Sequence, residues 1–204
     1  MSTQDFGSIG RDAAKVMNRA DLTRRLVARL KHEEAVIGGI GHTNFDLWAS
    51  GQRAQNFYML GSMGLAPSIA LGVALAQPQR RVFALEGDGS MIMHLGALGT
   101  IAMTNPKNFV LILLDNGIYQ ITGGQPTLTS HRTDLVAMAK GAGIAQSTWV
   151  RDEEHFEALV DRALAEDGPW CIGVRTDNGP PAGVTDRDPV RIRERFMQGL
   201  GIRK

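Results

Sequence analysis

The sequence predicts a doubly wound α/β fold, in which helices cover both faces of a mostly parallel sheet. Short apolar runs alternate with segments of helical periodicity along the 204 residues, and strands that alternate with helices form βαβ units. Residues 108–114 are apolar at almost every position, as in a strand that is buried on both faces. Glycine accounts for 24 of the 204 residues, which is above the average content of about 7%. This surplus indicates places where the backbone turns sharply or approaches another group closely.

The first half of the chain predicts an N-terminal arm, three strands and two helices. Residues 1–20 show little pattern and are interpreted as the arm, and residues 21–204 as one domain. Asp21 is the predicted N-cap of the first helix, because leucines follow it at helical spacing. Each predicted strand is a short, mostly apolar run that ends at a glycine. The strands are predicted over residues 35–40, 57–60 and 81–86, and the second helix over residues 67–76.

The second half of the chain continues the alternation. A helix is predicted over residues 90–104, because apolar side chains recur on one face until Pro106 interrupts the pattern. The buried strand over 108–114 follows, and then a glycine-rich loop over residues 115–130. The remaining predictions are a helix over 134–142, a strand over 147–150, a helix capped by Asp152, a strand over 169–175 and, after the Pro/Gly stretch 178–183, a last amphipathic helix.

Composition and charge exclude several classes of protein. Lys and Arg total 22 and Asp and Glu total 21, so the net charge of +1 does not indicate nucleic-acid binding. The lone cysteine, Cys171, excludes an intrachain disulfide framework and cysteine-ligated metal centres, and it is predicted to be buried and inert. Neither a secretory signal nor a membrane span is visible. We therefore expect a cytoplasmic protein that binds neither nucleic acid nor membrane.

Polar side chains follow two neighbouring strands of the predicted sheet. Gly87-Asp88-Gly89-Ser90 follows the strand over 81–86, and Asp115-Asn116-Gly117 follows the strand over 108–114. The carboxyl ends of parallel strands meet at one edge of a sheet, where ligands of open α/β folds bind. Asp88 and Asn116 can therefore face one cation, and oxygen ligands together with a diphosphate suit Mg²⁺. A bare turn is the competing interpretation of each loop.

These two loops, at this interval, resemble the diphosphate-binding signature of thiamine diphosphate (ThDP) enzymes. The resemblance covers about residues 20–200 and only the diphosphate-binding (PP) domain of those enzymes. It is greatest to the sulfopyruvate and phosphonopyruvate decarboxylases, through Gly61-Ser62-Met63-Gly64, the small-residue run 68–76 and the Tyr-Gln-Ile-Thr-Gly-Gly-Gln run 119–125.

The resemblance implies roles for particular residues. Mg²⁺ ligands are implied at Asp88, the Asn116 side chain and the Ile118 carbonyl. Met63 is implied to hold the cofactor in a bent shape, with the Gly61 carbonyl on its aminopyrimidine ring. The full set of implied cofactor-binding residues is Gly61, Ser62, Met63, Gly87, Asp88, Gly89, Ser90, Asn116, Ile118 and Tyr119.

The resemblance also implies that this chain holds half of an active site. In the family, the catalytic glutamate belongs to a pyrimidine-binding (PYR) domain, so no catalytic residue is assigned here and a PYR-domain, alpha-type partner chain is expected. The implied assembly is a hetero-oligomer such as α₂β₂ or larger. The implied activity is ThDP- and Mg²⁺-dependent decarboxylation of a 2-oxo acid that resembles sulfopyruvate or phosphonopyruvate.

Several alternatives remain open at this point. The chain is also compatible with an acetolactate synthase-like carboligase, with the beta subunit of a 2-oxo acid oxidoreductase, or with a non-catalytic ThDP-binding module. His42 and the loop over 122–132 either face the substrate or are solvated. His94 is packed or lies on the surface. The other loop residues weighed for a substrate role are Gln125, Thr127, His131 and Arg132.

Overall fold

The strands form a parallel sheet, as the sequence predicts. The computed structural model describes residues 9–31 and 33–202, and in this part of the chain seven strands make one sheet in the order β1–β9–β5–β4–β2–β3, with β8 also paired to β9. Its strands are β1 (Val16–Met17), β2 (Ala35–Gly38), β3 (Asn56–Tyr58), β4 (Val82–Gly87), β5 (Phe109–Asp115), β8 (Gln146–Trp149) and β9 (Trp170–Thr176). A separate antiparallel hairpin joins β6 (Ile118–Tyr119) to β7 (Gln125–Pro126).

The strand order places two chemically rich turns side by side. β4 and β5 are adjacent and parallel over six residue pairs, from Val82 opposite Phe109 to Gly87 opposite Leu114. β5 is buried along its whole length, because sheet neighbours and helices cover it on every side. The turns after β4 and β5 therefore emerge at the same edge of the sheet.

Helices cover both faces of the sheet, and the predicted fold class is confirmed. α1, α2 and α7 pack on one face, and α3, α4, α5 and α6 pack on the other, while α8 contributes side chains to both cores. The helices are α1 (Arg19–Arg29), α2 (His42–Ala49), α3 (Ala66–Ala76), α4 (Asp88–Met93), α5 (Gly96–Thr104), α6 (Leu135–Gly141), α7 (Glu153–Ala165) and α8 (Pro189–Gly199). None of the helices found in the described ranges has the length and apolar character needed to cross a membrane.

Three local predictions are wrong. The helix predicted over 90–104 is two helices, because the backbone leaves the helical region at His94 (φ −133°, ψ 43°). Helix α2 was not predicted at all. The first helix is capped by Asn18, whose side-chain oxygen accepts a hydrogen bond from the Asp21 amide at 2.9 Å, and not by Asp21.

Part of the stretch interpreted as an arm joins the sheet. β1 (Val16–Met17) pairs with the carboxyl end of β9, and Met17 lies in the core. Residues 1–8 of the predicted arm and 203–204 of the predicted domain lie outside the described residues. The division of the chain at residue 20 stays a prediction.

Candidate active site at the carboxyl edge of the sheet

A cleft opens at the edge of the sheet where β2, β4, β5 and β9 end. Eight of the ten predicted cofactor-binding residues line this cleft: Met63, Gly87, Asp88, Gly89, Ser90, Asn116, Ile118 and Tyr119. Gly61 and Ser62 do not line it; both are exposed in the loop that leads to Met63. The three predicted magnesium ligands thus border one space, which is the arrangement that the strand-end argument requires.

The turn after β4 brings backbone and a carboxylate to the cleft. Asp88 is the first residue of α4 and is 1% exposed. Gly89 has no room for a side chain, because an added Cβ would collide with the ring of Tyr119. Glycine at this position therefore lets the ring lie directly against the turn.

Two threonine hydroxyls hold the Asp88 carboxylate. Thr127 Oγ1 donates to Asp88 Oδ2 at 2.5 Å and Thr129 Oγ1 lies 2.7 Å from the same oxygen. Both threonines are buried. Burial raises the pKa of Asp88, and the two hydroxyl hydrogen bonds oppose that shift. The open alternatives for Thr127, a solvated loop or a substrate contact, are both wrong, because its hydroxyl is buried against Asp88.

The same network reaches the end of β5. Thr129 Oγ1 lies 2.8 Å from Asp115 Oδ1, an oxygen that also accepts the Gly117 amide at 3.1 Å. Arg11 Nε contacts the other oxygen, Asp115 Oδ2, at 2.6 Å. Asp115 is 2% exposed, so the guanidinium balances a buried negative charge beside the predicted metal ligands.

The Asn116 side chain is held by hydrogen bonds within its own loop. Its side-chain oxygen accepts the Ile118 amide at 3.3 Å, and its Nδ2 donates to Gln120 Oε1 at 3.3 Å. The Gln120 oxygen also accepts a hydrogen bond from Arg19, a cleft-lining residue that is 4% exposed. Arg19 Nε is paired with the fully buried Asp46 at 2.6 Å. A buried ion pair in α1 and α2 therefore supports this wall of the cleft.

Glu86 joins the turn after β4 to the loop that carries Met63. It is 1% exposed, and its carboxylate accepts the amides of Gly87 at 3.1 Å and Ala66 at 3.3 Å. Burial raises the pKa of Glu86 to about 7, although backbone amides and Ser90 pull it down. The sequence predicts a strand position for Glu86 and no role in the site.

The remaining candidate residues differ in whether they line the cleft. His42 is the first residue of α2 and lines the cleft, whereas His94, Gln125, His131 and Arg132 are exposed and do not line it. Cys171 is fully buried, so the prediction that it is buried is confirmed. Burial raises the pKa of its thiol to about 12, which favours an inert cysteine.

The cleft fits an anionic ligand held through a hard cation. His42 and Thr176 line it, and the buried His42 Nδ1 and Thr176 Oγ1 atoms have no hydrogen-bond partner within the described ranges, although buried polar atoms usually have one. No group of three or more His, Cys, Asp or Glu able to hold a metal occurs in the part of the chain that the structure describes. A cation here would therefore take amide, carbonyl and phosphate oxygens besides the Asp88 carboxylate.

Comparison with known proteins agrees with this geometry. Residues 39–174 match the family model described as "Thiamine pyrophosphate enzyme, C-terminal TPP binding domain". The chain is 38% identical over 183 residues to the sulfopyruvate decarboxylase subunit beta of Methanocaldococcus jannaschii, a match that covers 89% of this chain and 96% of that protein.

Two longer proteins match over part of their length. The phosphonopyruvate decarboxylase of Streptomyces viridochromogenes is 37% identical over 189 residues, covering 92% of this chain but 47% of that enzyme. The structure of a ThDP-dependent 4-hydroxybenzoylformate decarboxylase from Rhodococcus jostii RHA1 superposes with a TM-score of 0.69 and 28% identity, covering 83% of this chain and 34% of that one. The resemblance inferred from the strand-end motifs is confirmed: this chain belongs to the thiamine pyrophosphate enzyme family and contains its C-terminal, cofactor-binding domain.

Proposed function

We propose that this chain is the beta-type subunit of a ThDP- and Mg²⁺-dependent decarboxylase whose substrate is a 2-oxo acid resembling sulfopyruvate or phosphonopyruvate. The observation that carries the proposal is the match over nearly the whole length of a sulfopyruvate decarboxylase beta subunit, together with a cleft that gathers Asp88, Asn116 and Ile118.

The residues of the cleft have distinct roles in this proposal. Asp88, the Asn116 side chain and the Ile118 carbonyl hold Mg²⁺, and the turn at Gly87, Gly89 and Ser90 receives the diphosphate. Met63, Tyr119 and the loop at Gly61 and Ser62 contact the rest of the cofactor. When bound, ThDP supplies the nucleophilic carbon and the electron sink that decarboxylation requires.

The second half of the active site comes from another chain. Met63 is half-buried beside the exposed Gly61 and Ser62, and Ile121 is 56% exposed although it lines the cleft. Exposed apolar surface beside a ligand cleft suits a protein interface. We propose that a PYR-domain chain covers this border in the cytoplasm, in an α₂β₂ or larger assembly, and brings the catalytic glutamate.

The direct test is release of CO₂ from sulfopyruvate and from phosphonopyruvate with ThDP and Mg²⁺ present. We expect no turnover by this chain alone and turnover when it is co-expressed with a PYR-domain partner chain. CO₂ release only with an acceptor aldehyde indicates a carboligase, and release only with an electron acceptor indicates an oxidoreductase. Inactivity of every combination favours a non-catalytic module and contradicts the proposal.

A further inference from the structure

The two loops of the candidate metal site are joined by one threonine. Thr129 Oγ1 lies 2.7 Å from Asp88 Oδ2 and 2.8 Å from Asp115 Oδ1, so a single hydroxyl contacts the carboxylate that follows β4 and the carboxylate of the last residue of β5. Thr129 is fully buried and Asp88 and Asp115 are almost so. Water therefore does not compete for these contacts, and the one hydrogen bond that Thr129 donates, to either carboxylate, is strong.

The number of hydroxyl protons limits which carboxylates the two threonines can hold. Each hydroxyl has one proton to donate. Thr127 Oγ1 lies within reach of Asp88, at 2.5 Å, and of Thr129, at 2.9 Å, but among the described residues it makes no hydrogen bond to Asp115. When Thr127 donates to Asp88, the Thr129 proton is free for Asp115; when Thr129 donates to Asp88 instead, Asp115 receives no proton from it. Thr129 is thus the one member of the pair that lies within hydrogen-bond distance of both strand ends, and it donates to one carboxylate at a time.

The bridge also closes the loop that carries the other predicted ligands. The loop leaves β5 at Asn116 and returns at Thr127, whose amide donates to the Gly117 carbonyl at 2.9 Å. Gly117 in turn donates its own amide to Asp115 at 3.1 Å. Both ends of the loop are therefore attached to the carboxylates that Thr129 connects.

We propose that Thr129 is a positioning residue that fixes Asp88 relative to Asn116 and Ile118, and so sets the geometry of the cation site. The inference rests on the proposed function for the identity of the ligand, and on the contacts above for the bridge itself. Thr129 does not touch the ligand; it acts through the two carboxylates. Such supporting contacts typically change metal affinity by about 10- to 100-fold.

The test compares three variants of the full chain. Thr129→Val keeps the shape and removes the hydroxyl, Thr129→Ser keeps the hydroxyl, and Thr148→Val removes a buried hydroxyl from β8, where it contacts only the Trp149 carbonyl at 3.2 Å. ThDP is titrated at a fixed, subsaturating concentration of Mg²⁺ and followed by tryptophan fluorescence. Amide hydrogen exchange at Gly117 and Thr127 is measured without ligand.

We expect Thr129→Val to weaken ThDP binding by about 10- to 100-fold and to speed exchange at both amides by about tenfold. Thr129→Ser and Thr148→Val should behave like the wild type in both measurements. Wild-type affinity together with wild-type exchange in a folded Thr129→Val overturns the inference. Failure of the wild type to bind ThDP contradicts the proposed function instead, and the exchange data then decide alone whether the bridge exists.

Discussion

The two sides of the cleft differ in how they are built. The buried side consists of Glu86, Asp88, Asp115, Thr127 and Thr129, all 2% exposed or less. Contacts of 2.5–2.9 Å connect the two threonines with Asp88 and Asp115, and Glu86 accepts backbone amides at 3.1 and 3.3 Å. The border, made of Gly61, Ser62, Ile121 and Thr122, is exposed. The chain thus organises the end of the site that would hold the cation and leaves the other end open, as expected for a half-site that a second chain completes.

The largest effect is expected from the buried Arg19–Asp46 ion pair, which supports the wall of the cleft that carries Asn116. Arg19→Met leaves the fully buried Asp46 without its cation, which should lower the free energy of unfolding by about 3–5 kcal/mol. Arg24→Met is the matched control in the same helix, because Arg24 is 64% exposed and pairs only with Asp21; it should cost about 0–1 kcal/mol. Equal losses in urea denaturation would show that the Arg19 pair is not a support of the cleft.

The pH dependence of stability tests the burial of Glu86. Its pKa in the folded chain is about 7 against a usual 4.5, so between these values the folded chain keeps a proton that the unfolded chain has lost. The free energy of unfolding should therefore fall by about 3 kcal/mol as the pH rises through this range. Glu86→Gln should flatten the profile measured by denaturation across this window. An unchanged profile would contradict a buried, proton-binding Glu86.

The contact between the Asp88 turn and Tyr119 predicts a smaller effect. Gly89→Ala forces a Cβ into the ring, an overpacking that should cost about 1–3 kcal/mol. Gly87→Ala is the control, because the nearest atom to its added Cβ is Ser90 Oγ at 3.9 Å. It should change the free energy of unfolding by less than about 0.5 kcal/mol. Thermal unfolding of the two variants distinguishes them, and similar melting would refute the close contact.

The smallest effect is expected on the border. Ser62 has φ +60°, in the left-handed region that disfavours residues with a Cβ. Ser62→Gly should relieve this strain and raise stability by about 0.5–1 kcal/mol, net of the entropy that glycine adds to the unfolded chain. Asn105→Gly, at the left-handed C-cap of α5 (φ 47°), is the comparison variant, because Asn105 also carries a Cβ in the left-handed region. A loss of stability in Ser62→Gly would contradict backbone strain at this position and would indicate a stabilising contact of the serine side chain.

The sequence was sufficient for every strand of the sheet except β1, and for eight of the residues that line the cleft. Strands β4 and β5 are apolar runs that end at Gly87 and Asp115, and this local pattern places Asp88 and Asn116 at one edge. Helix α2 escaped prediction because its buried positions include Thr43, Asn44 and Asp46, so it has no apolar stripe to reveal it.

The supporting contacts could not be predicted because they join distant parts of the chain. Thr127 and Thr129 lie 39 and 41 positions from Asp88, and Arg11 lies 104 positions from Asp115. Threonines in a polar, glycine-rich segment give no local sign of burial. The break at His94 was hidden for a similar reason, since Met91 and Leu98 are both buried although they belong to different helices.

Titration of the full chain with ThDP in saturating Mg²⁺ tests the central claim, that Asp88 and Asn116 hold the cation that binds the cofactor. Asp88→Asn keeps the shape of the side chain and removes its charge, and Asp161→Ala removes an exposed carboxylate that pairs with Arg29 on the surface. We expect Asp88→Asn to weaken binding by at least about 100-fold and Asp161→Ala to bind as the wild type does. Wild-type affinity in a folded Asp88→Asn would contradict the account.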